Sequence, residues 1–593
     1  MTGPARPARR GALRALARGT GAAAALGLAA PGAARAAEAG PTVHLYRSDA
    51  TRAYVAAQGG DPTVFDAPWR ALLQRIGLRA TEVDAPGLAA LRDPGVLVLP
   101  SVLLLDDRER AAIDALVRRG WGVLATWATG ARDGAGAWRG FDFLARRLEA
   151  TVVEPLAVDS EEWFLLPYGD TPATRGLRAG ERLWLTKVPE TPLRVSGGTP
   201  VARFGDWARL TLQPNARAAA ATLSERDGGR TAYLGFAETS WTASQAAIDR
   251  LVADTIAWLA RVPAASLAAW PGTHRAAFVV EMDTEDRFEN ARWFAELLDR
   301  QRLRGTFYSL TSQARRHPEL VAALAARHEI AYHADVHDGF KGLPEPVQRA
   351  RLDAMIAELR PLLPAGAPAP RGFRAPLESS DATTERLLRA LGLGHHAASP
   401  ASRDDVLPGF SRAEDGVPTD AALVVLPRTM LDDVNWLKLG LLERSVQEPM
   451  LAAYADSVAM RGLGLLSVHS QNFAPGGVLH GELPALLEAL ARDRDRVWVA
   501  TGGEIERWWR DRAAVSVETE RAGADGLRVR VAAARAVPAG VRIDLYPGAQ
   551  DRVPEIAGDA GGARLERLDA LAWAMVLPPL APGRRTLEVR FRR

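Results

Sequence analysis

The sequence predicts an α/β protein in which an open α/β sheet domain precedes a distorted (β/α) barrel and a small β-sandwich. A chain of 593 residues is too long to fold around one hydrophobic core, so several domains are expected. Strand-like apolar runs alternate with helical segments in residues 41–262 and again in residues 274–512, whereas residues 513–593 show period-two alternation. The first pattern indicates mostly parallel sheets, and the second indicates antiparallel strands.

The N-terminus resembles an export signal, which we place at residues 1–36. Arg9 and Arg10 stand in a basic stretch, a weakly apolar run follows, and ARA at 34–36 offers a small-residue cleavage site. The arginine pair resembles a twin-arginine signal, except that Ala12 stands where a large apolar residue is usual; a plain secretory leader is the alternative. Both predict a periplasmic or extracellular protein. No other segment approaches 18 consecutive apolar residues, so no transmembrane span is predicted.

The composition excludes several classes of function and limits which residues could bind a metal. Hydrophobic residues make up 47% of the chain, charged residues 24%, and the net charge is +3, as in soluble globular proteins. Arginine is scattered through every segment instead of forming a basic stripe, which argues against nucleic-acid binding. The chain has no cysteine, so it has no disulfide, no thiolate metal site and no cysteine nucleophile. Metal ligands must come from histidine, aspartate and glutamate, which suits a catalytic ion such as zinc.

The first domain, residues 41–262, resembles a class I glutamine-amidotransferase-like domain in the stretch from LVLPS to VRRGWGVLATWATG. In that family a cysteine nucleophile follows the strand that GVLAT matches here. The turn in this chain contains Thr126, Trp127 and Thr129 but no cysteine, and a threonine hydroxyl would need an adjacent base. We therefore expect a non-catalytic domain that serves binding, packing or assembly. The segment PAASLAAWPGTH, with Pro263 and Pro271, is predicted to be a linker.

The second domain, residues 274–512, contains eight candidate strands with helices between most of them. The candidates are RAAFVVEMD, RGTFYSLT, HEIAYHA, RGFRAP, GLGHHAAS, ALVVLPRT, GLGLLSVHS and RVWVATGG. Active sites of such barrels lie at the carboxyl ends of the strands. Polar residues gather at four of these ends, namely Asp283, Glu285 and Asp286; His333 and His337; Arg374; and His469.

Together these residue types suit a metal-dependent hydrolase. Two histidines and one carboxylate can hold an ion that keeps an open position for water. Such an ion lowers the pKa of the water and polarises a carbonyl oxygen. A second carboxylate can accept the proton of the water, and a histidine can protonate the leaving nitrogen. An arginine beside the carboxylates would keep the base ionised.

The set resembles the NodB-like polysaccharide deacetylases, carbohydrate esterase family four, over residues 274–512. The matching motifs are MDTED, HEIAYHADVH, the R-x-P segment with Arg374 and Pro376, and LLSVHS. The resemblance implies an enzyme that hydrolyses carbon–nitrogen bonds other than peptide bonds, and that removes N-acetyl groups from amino sugars of a polysaccharide.

The resemblance also implies roles for single residues. Asp283 would be the base, His469 the proton donor and Arg374 the partner of the base. His333, His337 and either Glu285 or Asp286 would hold the metal, and the metal and the backbone N–H of Leu377 would stabilise the oxyanion. Substrate contacts would come from Pro376, Leu377 and Trp436.

Several positions depart from the family pattern. Thr284 follows Asp283, where adjacent aspartates or D-x-D are usual, and Glu281 is also near. Leu377 and Glu378 stand where an aromatic residue and glycine are common. The fourth motif, an Asp-Trp pair, is replaced loosely by LDDVNW, with Asp432, Asp433 and Trp436. Two alternatives therefore stay open, a hydrolase of non-sugar amides and a non-catalytic carbohydrate-binding scaffold.

Overall fold

A computed structural model describes residues 41–161, 163–169, 171–177, 182–204, 218–397, 406–411, 421–523 and 525–592. The predicted export signal lies outside the described residues. Within the described part, no helix is both long enough and apolar enough to cross a membrane.

The first sheet uses most of residues 41–262. Its strands and helices follow in chain order: β1 (Val43–Tyr46), α1 (Asp49–Ala57), α2 (Asp66–Arg75), β2 (Ala80–Val83), α3 (Ala85–Ala90), β3 (Val96–Leu99), α4 (Asp107–Arg118), β4 (Gly122–Thr126), α5 (Asp142–Leu148), β5 (Thr151–Pro155), β6 (Phe164–Pro167), β7 (Leu183–Trp184), β8 (Leu193–Ser196), β9 (Thr199–Phe204), β10 (Ala219–Arg226), β11 (Gly229–Leu234) and α6 (Gln245–Leu259).

The strand order in this sheet is β2-β1-β3-β4-β11-β10-β9-β6-β7, with β8 paired to β10 and β5. Neighbouring strands from β2 to β11 are parallel, as the alternating pattern predicts. The six strands β5 to β10 pair antiparallel, so the expectation of a mostly parallel sheet is wrong for this half. Among the described residues no helix lies between these strands, and antiparallel neighbours need no crossover connection.

The second sheet begins at β13. Its region contains β12 (Ala264–Leu267), β13 (Ala276–Thr284), α7 (Ala291–Arg300), β14 (Thr306–Ser309), α8 (Thr311–Ala314), α9 (Pro318–Ala325), β15 (Glu329–Tyr332), α10 (Glu345–Leu359), β16 (Gly372–Phe373), α11 (Ala382–Ala390), β17 (His395–Ala397), β18 (Gly409–Phe410), β19 (Val424–Leu426), α12 (Asp433–Lys438), α13 (Gln447–Ala459), β20 (Leu463–His469), α14 (Val478–Arg492), β21 (Val497–Val499) and α15 (Gly502–Ala513).

All eight candidate strands of the barrel region form strands of this sheet. The order is β18-β19-β17-β16-β15-β14-β13-β20, and β21 also pairs with β13. Every pair is parallel except β18 with β19. Among the described residues no pairing joins β20 or β21 back to β19, so the hydrogen-bonded path does not close. The predicted distorted barrel is therefore an open, half-barrel sheet.

The seven C-terminal strands, together with β12, form two four-stranded antiparallel sheets. The C-terminal strands are β22 (Val515–Arg521), β23 (Gly526–Ala533), β24 (Val541–Tyr546), β25 (Val553–Ala557), β26 (Arg564–Arg567), β27 (Trp573–Leu577) and β28 (Gly583–Arg592). One sheet has the order β22-β23-β28-β25 and the other β12-β24-β27-β26. Val529 and Val589 of the first share a buried cluster with Ile543 and Met575 of the second, as in a β-sandwich.

Two sequence expectations change here. The predicted linker contributes β12, which pairs antiparallel with β24, so the sandwich takes one strand from ahead of the half-barrel. The cores are also not separate, because Leu166 of β6, Val279 of β13 and Val529 of β23 belong to one hydrophobic cluster. The C-terminal sandwich therefore packs against the half-barrel.

At the carboxyl end of the first sheet, Glu238 is 1% exposed and sits in a closed polar cluster. Its carboxylate accepts hydrogen bonds from the Ser101 hydroxyl at 2.6 Å, from the Trp69 indole at 2.7 Å and from the Thr126 hydroxyl. Burial raises the pKa of Glu238 to about 7, although the hydroxyl hydrogen bonds lower it. The threonine at the turn after β4 is thus engaged in a structural network.

The stability of the protein should depend on pH through Glu238. Its pKa is about 7 in the folded protein against 4.5 in a free side chain, so the folded state holds the proton more tightly. The free energy of unfolding should therefore fall as pH rises from 4.5 to 7, by on the order of 3 kcal/mol from this residue. Glu238→Gln should remove that decline, which chemical denaturation across this range measures. The exposed carboxylate variant Glu161→Gln is the control and should keep it; equal pH slopes in both variants would contradict the assignment.

Candidate active site

The strand register brings the predicted site residues to one edge of the half-barrel. Thr284 of β13 pairs with Ser309, Ser309 pairs with Tyr332, and Tyr332 pairs with Phe373. The residue after each of three of these positions is a predicted site residue, namely Glu285, His333 and Arg374. On the other side of β13, Asp283 pairs with His469, the last residue of β20. Parallel strands thus place the two acids, two histidines and the arginine together at their carboxyl ends.

Glu285 lies between the two histidines of the H-x-x-x-H motif. Its Oε1 is 2.9 Å from Nε2 of His333 and 2.7 Å from Nε2 of His337. Burial favours the neutral carboxyl, yet hydrogen bonds with both histidines hold the pKa of Glu285 far below its usual range. The hydrogen bond between His337 and Glu285 also raises the pKa of His337. The three groups offer ligand atoms that lie within 4.8 Å of one another.

His333 is fixed in the orientation that a metal ligand needs. It is 1% exposed, and its Nδ1 lies 2.9 Å from the carbonyl oxygen of Arg374. A proton on Nδ1 donated to that carbonyl leaves Nε2 free to point at the cluster. The next residue, Ala334, has φ 103, a backbone conformation that is costly for alanine. This strain sits between the two histidines of the site.

The alternative carboxylate, Asp286, lies apart from the histidines. It is exposed, and its carboxylate accepts a 3.3 Å hydrogen bond from Gln313. The groups whose ligand atoms converge contain Glu285 but not Asp286. Of the two acids that the sequence leaves open, geometry favours Glu285.

Arg374 is buried between two carboxylates of β13. Its Nε lies 2.8 Å from Asp283 Oδ2 and its Nη1 donates to Glu281 Oε1 at 2.5 Å. Glu281 is fully buried, and burial raises its pKa to about 8 against the opposing charge of Arg374. Asp283 keeps a second buried oxygen, Oδ1, without a hydrogen-bond partner among the described residues. That oxygen is available to a group outside the chain.

His469 faces Asp283 from the neighbouring strand. Its Nε2 is 3.5 Å from Asp283 Oδ2, and its Nδ1 is 2.6 Å from Asp433 Oδ1. The backbone N–H of His469 donates to Asp433 Oδ2 at 2.8 Å. Burial lowers the pKa of His469, but the Asp433 carboxylate outweighs it and raises the pKa to about 10. Asp433, from the segment that loosely replaces the fourth motif, therefore contacts both the ring and the backbone of His469.

The donor set fits a divalent ion. Two imidazole nitrogens converge on one carboxylate oxygen, and oxygens and nitrogens are the donors that zinc and similar ions accept. Asp283, Glu285 and His469 form a second convergent group that shares Glu285. Oδ1 of Asp283 has no hydrogen-bond partner among the described residues, so it can accept a hydrogen bond from a water beside that ion.

Two of the predicted substrate-binding residues are buried. Trp436 is 1% exposed and belongs to the hydrophobic core of the half-barrel. Its contact with substrate stays a prediction. This tryptophan lies in α12, which turns Asp433 toward His469 and Trp436 toward the core. Pro376 is buried, whereas Leu377 is 71% exposed with φ 58. Leu377 is the predicted contact residue with a free surface.

An ion-pair chain that the sequence did not suggest braces this loop. Glu378 has φ 50, and its carboxylate lies 3.2 Å from Arg428 and 3.8 Å from Arg374. Arg428 in turn lies 2.9 Å from Asp432. These ion pairs hold Glu378, the second of two consecutive residues with positive φ after Leu377. The deacetylases that the sequence resembles often have glycine at the position of Glu378. No residue spacing signals this pairing, because Arg428 follows a different strand.

Residues 284–395 match the polysaccharide deacetylase family. This match confirms the predicted enzyme class, and it covers part of the predicted domain, including His333, His337 and Arg374. Asp283 lies just before the matched segment and His469 lies beyond it. A comparison with curated proteins gave no match.

Solved structures similar to the chain include three deacetylases. A polysaccharide deacetylase from Mycobacterium smegmatis is 22% identical, with 41% of this chain and 93% of that one covered and a TM-score of 0.35. One from Pseudomonas aeruginosa is 18% identical, with 40% and 92% covered and a TM-score of 0.35. Agd3, a carbohydrate deacetylase, is 13% identical, with 93% and 98% covered and a TM-score of 0.41.

The pKa of His469 should depend on Asp433. In metal-free protein, Asp433→Asn should lower the pKa of His469 by roughly one to three, because the carboxylate that stabilises the imidazolium is gone. Nuclear magnetic resonance titration of the imidazole measures this change. Asp432→Asn is the matched control, because Asp432 caps α12 and pairs with Arg428 instead of His469. An unchanged pKa in Asp433→Asn would contradict the assignment.

Proposed function

We propose that the chain is an exported, metal-dependent hydrolase that removes N-acetyl groups from the amino sugars of a polysaccharide. The observation that carries the proposal is the convergence of Glu285, His333 and His337 on one point, flanked by Asp283 and His469. This is the arrangement of a three-ligand catalytic site with an open position. In such a site a divalent ion supplies Lewis-acid chemistry, because it acidifies a water and polarises a carbonyl.

Asp283 acts as the base. The guanidinium of Arg374 lies 2.8 Å from one of its oxygens and holds that oxygen in place. The other oxygen, Oδ1, accepts the proton of the attacking water as that water adds to the acetamide carbonyl carbon. Burial of Asp283 at 1% exposure strengthens both interactions, since little solvent competes for them.

His469 acts as the acid. Asp433 holds its Nδ1 at 2.6 Å, so the protonated Nε2 faces the site. With its pKa raised to about 10, the imidazole carries a proton at neutral pH. It gives that proton to the sugar nitrogen as the carbon–nitrogen bond breaks, which releases acetate and a free amine. The Leu377 N–H is assigned to the oxyanion by the family resemblance.

The flanking parts take supporting roles in this proposal. Residues 1–36 direct export, so the enzyme acts in the periplasm or outside the cell. The first sheet is assigned no catalytic role, because it has no cysteine nucleophile and because Thr126, which donates to Glu238, is fully buried.

Acetate release tests the proposed function directly. Purified protein loaded with zinc is incubated with N-acetylglucosamine oligomers, peptidoglycan and secreted glycans, and with simple non-sugar amides. Acetate from an acetylated glycan, abolished by a chelator and restored by the ion, is the expected result. Release only from the simple amides would favour the alternative hydrolase, and no release from any substrate by metal-loaded protein would favour the scaffold.

The metal content should depend on both motif histidines. We expect about one divalent ion per chain, held by His333, His337 and Glu285. His333→Ala and His337→Ala should lose the ion, as measured by elemental analysis of the purified protein. His480→Ala is the control, because this histidine lies on α14 against Phe473 and should leave the ion bound. Equal metal content in all four proteins would remove the site assignment.

Substitution of Asp283, Glu285 and Asp286 should affect metal content and turnover differently. Asp283→Asn should keep the ion and lower turnover about a hundred- to ten-thousand-fold, because it removes a base. Glu285→Gln should lose the ion, while the exposed variant Asp286→Asn should retain both ion and turnover. Metal content and acetate release measured on the same samples decide this. If Asp283→Asn loses the ion and Glu285→Gln keeps it, the two roles are exchanged.

A further inference from the structure

Gln471 contacts the carboxylate that faces both motif histidines. It lies in the short 3₁₀ turn Ser470–Asn472 that follows β20. Its Nε2 donates a 2.6 Å hydrogen bond to Glu285 Oε2. Nothing in the sequence connects these residues, which lie 186 positions apart.

The two oxygens of Glu285 consequently have different partners. Oε1 faces Nε2 of His333 and Nε2 of His337, whereas Oε2 faces the amide of Gln471. The neighbouring Ser470 holds the backbone of the same residue, since its hydroxyl accepts from the Glu285 N–H at 2.9 Å. One turn therefore fixes both the main chain and the side chain of Glu285.

We propose that Gln471 is a positioning residue that makes Glu285 a one-oxygen metal ligand. This inference rests on the proposed function, because it assumes the ion between Glu285 and the histidines. A carboxylate can bind an ion through one oxygen or through both. Oε2 is occupied by the Gln471 amide, so Oε1 alone is directed at the histidine nitrogens. A coordination position that the second oxygen would take then stays open for water and the substrate carbonyl.

The next residue performs a separate task. Asn472 donates from Nδ2 to Asp433 Oδ2 at 3.0 Å, and Asp433 orients His469. The two adjacent amides therefore support different halves of the site, with Gln471 on the side of the metal ligand and Asn472 on the side of the acid. This division gives a matched control, because both side chains are amides in one turn.

The test uses the full-length protein and measures ion binding apart from turnover. Gln471→Met keeps the length of the side chain but removes the donor, and Gln471→Asn keeps the donor but shortens its reach. Zinc affinity is measured by competition with a chelator, and the absorption spectrum of the cobalt-substituted protein reports the coordination number. Both variants should bind zinc roughly ten- to a hundredfold more weakly. Their cobalt spectra should weaken, as expected when a second carboxylate oxygen joins the ion.

Asn472→Leu is the control and should keep wild-type zinc affinity and the wild-type cobalt spectrum, because its partner is Asp433. Wild-type affinity and spectrum in either folded Gln471 variant would overturn the inference and leave the proposed function standing. A wild-type protein that binds neither zinc nor cobalt would overturn both. If Gln471→Met fails to fold, as judged by circular dichroism, Gln471→Asn carries the same test.

Discussion

The buried guanidinium of Arg374 is the contact on which the site depends. It lies 2.8 Å from Asp283 and donates to Glu281, so two acids two positions apart on one strand can stay buried together. The carbonyl oxygen of the same residue accepts from Nδ1 of His333 and sets which nitrogen faces the ion. One residue thus fixes the proposed base through its side chain and a proposed ligand through its backbone. A lysine would not replace it, because it lacks the planar fork that reaches two carboxylates.

The charges of the site explain why a dication would complete this arrangement. Glu281, Asp283, Glu285 and Asp433 gather at the carboxyl ends of β13 and the start of α12, while Arg374 is the one permanent cation bonded to them in the contacts described. A raised pKa keeps Glu281 largely neutral at pH 7, and a raised pKa keeps His469 positive. Both motif histidines contact the same oxygen of Glu285, Oε1. An ion at that point would replace two hydrogen bonds with stronger coordination and offset the remaining negative charge.

The sequence predicted the strand ends better than the contacts between them. Asp283, His333, Arg374 and His469 each lie at the end of a recognisable strand pattern, and parallel pairing brings such ends to one edge of the sheet. Gln471 could not be recognised, because its contact depends on how a 3₁₀ turn bends toward Glu285. In the Asp-Trp substitute, the helix that points Asp433 at His469 directs Trp436 into the core, which the sequence alone did not indicate. The sequence predicts a linker where β12 forms, because Pro263 and Pro271 are typical of a linker and the strand between them is only four residues long.

The parallel parts of the two large sheets show why similar strand ends can differ in their hydrogen bonding. In the first sheet the carboxylate of Glu238 receives hydrogen bonds from two hydroxyls and one indole, so it is satisfied within the chain. Trp127 adopts φ 42 on the turn after β4, and its indole donates to the carbonyl of Thr191. In the half-barrel, by contrast, Asp283 keeps an unpaired buried oxygen and His337 stays partly exposed. A closed network stabilises a fold, whereas acceptors left without internal donors require a ligand or water. That difference, more than the fold of either sheet, is the reason to propose the chemistry at the edge formed by β13, β15, β16 and β20.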